Sequence, residues 1–155
     1  MNNMLSKNDK APNFSLLNQN KEVVKLSDYL GKKVFVYFYP RANTPGCTTQ
    51  SCEVRDAKEE LLENGVVVIG ISTDTPKKQD NFDKKYNLNF PLLSDLDHEV
   101  AEAYGVWAEK KLYGKVYMGL VRSSFLIDEK GEVLETWYKI SPKKTVPEVI
   151  KYLNN

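Results

Sequence analysis

Residues 34–72 read "VFVYFYPRANTPGCTTQSCEVRDAKEELLENGVVVIGIS", and the reading of this stretch decides the fold. Val34–Tyr39 is an unbroken apolar and aromatic run, the pattern of a strand buried on both faces. Val66–Ser72 is a second run of the same kind. Residues 45–64 between them read as a helix. Thr44 is a favoured N-cap, Pro45 suits the first helical position, and Gly65 follows as a stop. Strand, helix and strand in direct succession make a βαβ unit, so the two strands are expected to lie parallel in one sheet.

The alternation continues outward. Asp74-Thr75-Pro76 starts a helix that carries Phe82 and Tyr86 on one face, and "FPLLSD" (90–95) is a short extended piece. Asp97–Tyr104 is a short helix near an acidic cap. "SSFLID" (123–128), the turn "DEKG" and "EVLETWYK" (132–139) form a β-hairpin, and Val146–Leu153 closes the chain as a helix. No linker, repeat or low-complexity segment interrupts residues 1–155. The expectation is one α/β domain.

Composition narrows the function classes. Of 155 residues, 41% are hydrophobic and 28% charged, as in a soluble folded protein. No apolar run approaches the ~20 residues that span a bilayer, so no membrane partner is expected. The net charge is +1, from 22 basic and 21 acidic residues. The paired lysines are scattered and offset by nearby acids, which argues against a nucleic-acid footprint. The N-terminus "MNNMLSKNDK" lacks an apolar signal core, so a cytoplasmic, reducing compartment is expected.

Cys47 and Cys52 are the only cysteines. Cys47 falls at the third helical position, where unsatisfied N–H groups and the helix dipole favour a negatively charged, nucleophilic sulfur. Cys52 lies one and a half turns further in and receives less of that help. As buried small hydrophobes the two would need no such position. A structural zinc site lacks ligands: no third thiol exists, and the single histidine, His98, is remote and expected at the surface. A thioredoxin-type disulfide reductase would carry C-x-x-C here, whereas this chain has C-x-x-x-x-C.

The segment "PRANTPGC" (40–47) fits the peroxiredoxin pattern P-x-x-x-T-x-x-C, and "TPGCTTQSCEVRD" resembles the bacterioferritin comigratory protein group, also called peroxiredoxin Q. The resemblance extends through "APNFSL", "VIGISTD", "KYNLNFPLLSD", "AYGVW", "YGKVYMG" and "RSSFLID". It implies a thioredoxin-like fold, a central mixed β-sheet with helices on both faces, and a thiol peroxidase acting on hydrogen peroxide and organic hydroperoxides. By the same resemblance Cys47 is the peroxidatic nucleophile, Cys52 the resolving thiol, and Thr44, Pro40 and Arg122 complete the site. The chemistry is apt: a guanidinium stabilises charge on the peroxide oxygens, a hydroxyl orients them, and Pro40 shields the sulfur from water.

Some positions depart from the group. Many members have an acid where Asn43 stands, Glu at Gln50, Phe at Val54, and His in the segment around Gln79. Arg55-Asp56 reads equally as a local ion pair or as surface charge.

The cycle implied runs from a Cys47 sulfenic acid to a Cys47–Cys52 intramolecular disulfide, which thioredoxin or a similar dithiol reduces. No metal, haem or flavin is expected, and one chain acting as a monomer suffices. A thiol–disulfide oxidoreductase without peroxidase turnover, or a redox-switch binding protein, are the alternatives. Cysteines five apart in an intact helix hold their Cα atoms more than about 8 Å apart, beyond the ~7 Å limit for a disulfide. The first turn and a half must therefore unwind for the bond to form.

Overall fold

The computed structural model describes residues 4–155. Its elements, in chain order, are β1 (Ser15–Leu17), β2 (Val23–Lys25), β3 (Lys33–Phe38), α1 (Pro45–Glu63), β4 (Val66–Ser72), α2 (Pro76–Tyr86) and β5 (Leu92–Ser94). There follow α3 (Glu99–Ala103), β6 (Trp107–Leu112), β7 (Lys115–Leu120), β8 (Ser123–Ile127), β9 (Val133–Trp137) and α4 (Thr145–Leu153). Short 3-10 turns cover Leu26–Tyr29 and Pro142–Lys144.

Seven strands form one mixed sheet in the order β2-β1-β5-β4-β3-β8-β9. β3 and β4 pair in parallel, with Tyr37 opposite Gly70, as the βαβ reading requires. β5 continues the parallel run beyond β4, while β8 joins the other side of β3 antiparallel and forms the expected hairpin with β9. Among the described residues, β6 and β7 pair only with each other and form a separate two-stranded arm.

Alternation along β3 divides the core. Phe35, Tyr37 and Tyr39 pack with Cys47, Val54 and Leu61 of α1, Phe82 of α2 and Val149 of α4. Val34, Val36 and Phe38 face the other layer, with Ala101 of α3, Tyr104 and Phe125. Successive side chains of a strand point to opposite faces, so a run apolar at every position needs cover on both. The helices supply that cover on both sides.

Two details differ from the sequence reading, and a third decides what it left open. α3 begins at Glu99, and the buried Asp95 carboxylate satisfies its first turn by accepting from Val100 N (3.2 Å) and Ala101 N (2.8 Å). His98 is half-buried, its ring stacked on Trp107 at 4.0 Å. Arg55 both pairs with Asp56 (2.9 Å) and donates to the Tyr86 carbonyl at 2.6 Å, tying α1 to the end of α2.

Candidate active site

The loop of residues 40–44 carries the chain from the end of β3 into α1, and its conformation is set locally. Tyr39 N still donates to Ile71 O across the sheet; Pro40, which has no N–H to offer, ends the pairing half-buried. Asn43 adopts φ +64°, a left-handed conformation that asparagine tolerates better than most residues. Ala42 N donates to Asp74 Oδ2 (2.7 Å), and that same oxygen accepts from Ser72 Oγ (2.7 Å). Gln79 extends the network: it accepts from the Tyr39 hydroxyl and donates to Ser72 Oγ and Leu93 O. The loop is thus anchored to β4 and α2 by a buried polar cluster.

Thr44 is the N-cap residue, and its carbonyl accepts from Thr48 N at 2.8 Å. Its side chain does not cap, contrary to the sequence expectation. The hydroxyl donates instead to Arg41 O (2.7 Å). With its proton committed there, the Thr44 oxygen has only lone pairs left to offer a neighbour.

Cys47 occupies the third position of α1 and is 1% exposed. The Arg122 Nη2 lies 3.5 Å from its sulfur. Arg122 sits between β7 and β8, immediately before Ser123, so the β8 pairing to β3 delivers it to the start of α1. Gly46 permits the approach: a Cβ there would stand 3.2 Å from Arg122 Nη2 and 3.4 Å from Pro142 Cγ. Cys52 is half-buried in the third turn of the same unbroken helix, and both thiols are free.

Gln50 joins these parts. Its Oε1 accepts from Arg122 Nη1 (2.6 Å), and its Nε2 donates to Thr145 Oγ1 (2.8 Å), which in turn donates to Ser141 O (3.1 Å). A glutamate would have answered Arg122 with a full negative charge and could not donate to Thr145. Glutamine holds the arginine in place while leaving its charge for the sulfur. An open cavity of about 330 Å³ lies beside this junction, lined by Pro45, Gly46, Thr49, Ser141, Pro142 and Lys143.

Lys110 of β6 was not foreseen. Its Nζ donates to Leu120 O (2.8 Å), two residues before Arg122. Burial, and then the charge of Arg122, hold its ammonium below the ordinary lysine range, while charge on Cys47 would act the other way. Among the predicted residues, Arg122 and Cys47 are in contact, Pro40 and Thr44 lie on the loop that leads into α1, and Cys52 lies further along the helix.

A mixed sheet covered by helices on both faces, with a cysteine in the first turn of the helix that follows its central strand, defines the thioredoxin-like thiol proteins. The comparisons narrow that class: the chain belongs to the AhpC/TSA family, whose model matches residues 8–136, and within it to the bacterioferritin comigratory protein/peroxiredoxin Q group. It is 54% identical to Peroxiredoxin Bcp of Escherichia coli (strain K12), over 84% of each chain. It is 47% identical to Peroxiredoxin Bcp of Bacillus subtilis (strain 168), over 94% of this chain and 93% of that one. The Xanthomonas campestris bacterioferritin comigratory protein superposes with a TM-score of 0.86 at 33% identity, covering 91% of this chain and 90% of that one.

Proposed function

We propose that this chain is a thiol peroxidase that reduces hydrogen peroxide and organic hydroperoxides with Cys47 and is regenerated by a protein dithiol such as thioredoxin. The observation that carries the reading is the Arg122 guanidinium 3.5 Å from a buried sulfur in the first turn of α1. The likeness to the Xanthomonas campestris protein, for which alkyl peroxide reduction activity is described, supports the same substrate class.

In the first step the Cys47 thiolate attacks the terminal peroxide oxygen and the O–O bond breaks. Cys47 becomes a sulfenic acid, and the second oxygen leaves as water or an alcohol once protonated. Arg122 stabilises the charge that develops on the oxygens, and the Thr44 lone pairs accept a hydrogen bond from the hydroperoxide O–H, which orients it for attack. Pro40 limits water beside the sulfur. Cys52 then displaces hydroxide from the Cys47 sulfur, giving the intramolecular disulfide and water after proton transfer. A dithiol reduces that disulfide by exchange. The chain works as a monomer in the cytoplasm.

Steady-state consumption of hydrogen peroxide and cumene hydroperoxide with thioredoxin and its reductase tests this reading. Sustained turnover is expected. Insulin reduction without peroxide turnover would instead make the chain a disulfide reductase, and a single oxidation without cycling would make it a switch.

A further inference from the structure

We propose that the hydrogen bond between Tyr37 and Ser51 is a latch on α1 that sets how fast Cys52 resolves the Cys47 sulfenic acid, and thereby how easily Cys47 is over-oxidised. The inference rests on the Cys47–Cys52 cycle proposed above.

The two hydroxyls lie 2.8 Å apart, and both residues are fully buried. Tyr37 projects from the central strand between Tyr39 and Phe90, with ring centroids at 5.5 and 6.1 Å. Its tip reaches α1 because the residue paired with it on β4 has no side chain. A Cβ at Gly70 would stand 3.0 Å from the Tyr37 hydroxyl. A phenylalanine would fill the same apolar layer, so the hydroxyl is there for the bond it makes. Burial pushes the phenol well above its ordinary range; the Ser51 bond opposes that shift, and charge on Cys47 and Cys52 adds to it. Tyr37 thus stays a neutral O–H within electrostatic reach of both sulfurs.

Ser51 immediately precedes Cys52. When residues 45–52 unwind to let the sulfurs meet, Ser51 leaves Tyr37, and a buried phenol loses its partner, which disfavours the unwound state by roughly tenfold. Two reactions compete for the sulfenic acid. With Cys52 it gives disulfide and water, which needs the unwound segment. With a second hydroperoxide it gives sulfinic acid and water or an alcohol, which needs the folded pocket. A bond present only in the helical state favours the second at the expense of the first. Tyr37 and Ser51 are positioning residues: neither touches the reacting oxygens.

The test uses Tyr37→Phe, Ser51→Ala and the double variant. Rapid mixing across a peroxide series, acid quench and intact mass would read disulfide against sulfinate. Tyr37→Phe should resolve about tenfold faster and Ser51→Ala faster by a smaller factor, because alanine also favours the helix that must unwind. In each, the peroxide concentration giving equal disulfide and sulfinate should rise by the same factor as the resolution rate. Formation of the sulfenic acid should be unaltered. The double variant should match Ser51→Ala rather than multiply the two effects, since one bond is lost in all three and the double carries the same alanine. Because the partners sit on different elements, either single variant carries the test if the other fails to fold. A wild-type partition in a folded variant, or multiplied effects in the double, would overturn the latch alone. If the wild type itself formed no Cys47–Cys52 disulfide, the proposed cycle would fall and the latch with it.

Discussion

Cys47 and Cys52 carry the same functional group in unequal surroundings. The first is buried under a guanidinium in the opening turn of α1, and the second is half-buried one and a half turns on, where the nearby Arg55 guanidinium is engaged by Asp56 and the Tyr86 carbonyl. Cys47→Ser is therefore expected to abolish peroxide consumption. Cys52→Ser should still consume about one equivalent per chain and then stop at the sulfenic acid; a dimedone adduct located on Cys47 by mass spectrometry checks the assignment. Arg122→Ala removes a charged donor aimed at the developing oxyanion and should slow the peroxide step by about 100- to 1000-fold, read by single-turnover stopped flow. Peroxide kinetics near those of the wild type would remove Arg122 from the site. Gln50 shows why residue-scale reading from sequence is incomplete. Its position could be marked as a departure from the group, but its partners lie 72 and 95 residues away, and no spacing rule reports them.

α1 is the element on which the account depends, because it must be helical for one step and unwound for the next. Gly46, Thr48, Thr49 and Ser51 are weaker helix formers than Ala or Leu, which keeps the cost of unwinding modest. Hydrogen exchange should show amides 45–55 losing protection on oxidation while β3 and β4 keep theirs. Unchanged protection in protein of verified disulfide mass would mean the bond forms another way. The loop feeding α1 is held by Asp74, so Asp74→Ala, which frees Ala42 N and Ser72 Oγ, should cost about 1–3 kcal/mol in urea unfolding and also slow the peroxide step. The strands and helices of this layer were legible because each has a strong local signature: apolar runs in β3 and β4, Thr-Pro starts in α1 and α2, a Gly stop after α1. β6 and β7 had no such signal. Residues 111–118 are exposed throughout, so nothing imposes an apolar alternation, and the arm turns through Tyr113 and Gly114, both at positive φ. β1 and β2 escaped because three residues each are too few to display an alternation.

At the scale of the whole molecule, stability should carry a trace of the buried Asp95 that caps α3. Burial raises its carboxyl above the ordinary range, with Asp97 adding and His98 opposing, against the lowering effect of its two backbone bonds. With the folded value above the unfolded one, the folded state binds the proton more readily. The contribution of Asp95 is therefore full at low pH and is lost as pH rises through the folded value. Urea unfolding should show wild type gaining on Asp95→Asn as pH falls from neutral toward the acid range; a pH-independent difference would contradict this. The α/β class was legible from the βαβ unit and the hairpin, and the mixed sheet from the family resemblance, but the strand order was not, since β5 and β8 reach their neighbours by long-range pairing. The central claim is that a single chain completes the oxidative half of the cycle. Intact mass under non-reducing conditions, after one equivalent of peroxide at low protein concentration, tests it directly. The account predicts a monomer lighter by two hydrogen atoms, with Cys47 and Cys52 linked in one peptide. Disulfide-linked dimers, or a monomer that retains the sulfenic oxygen with Cys52 free, would contradict it.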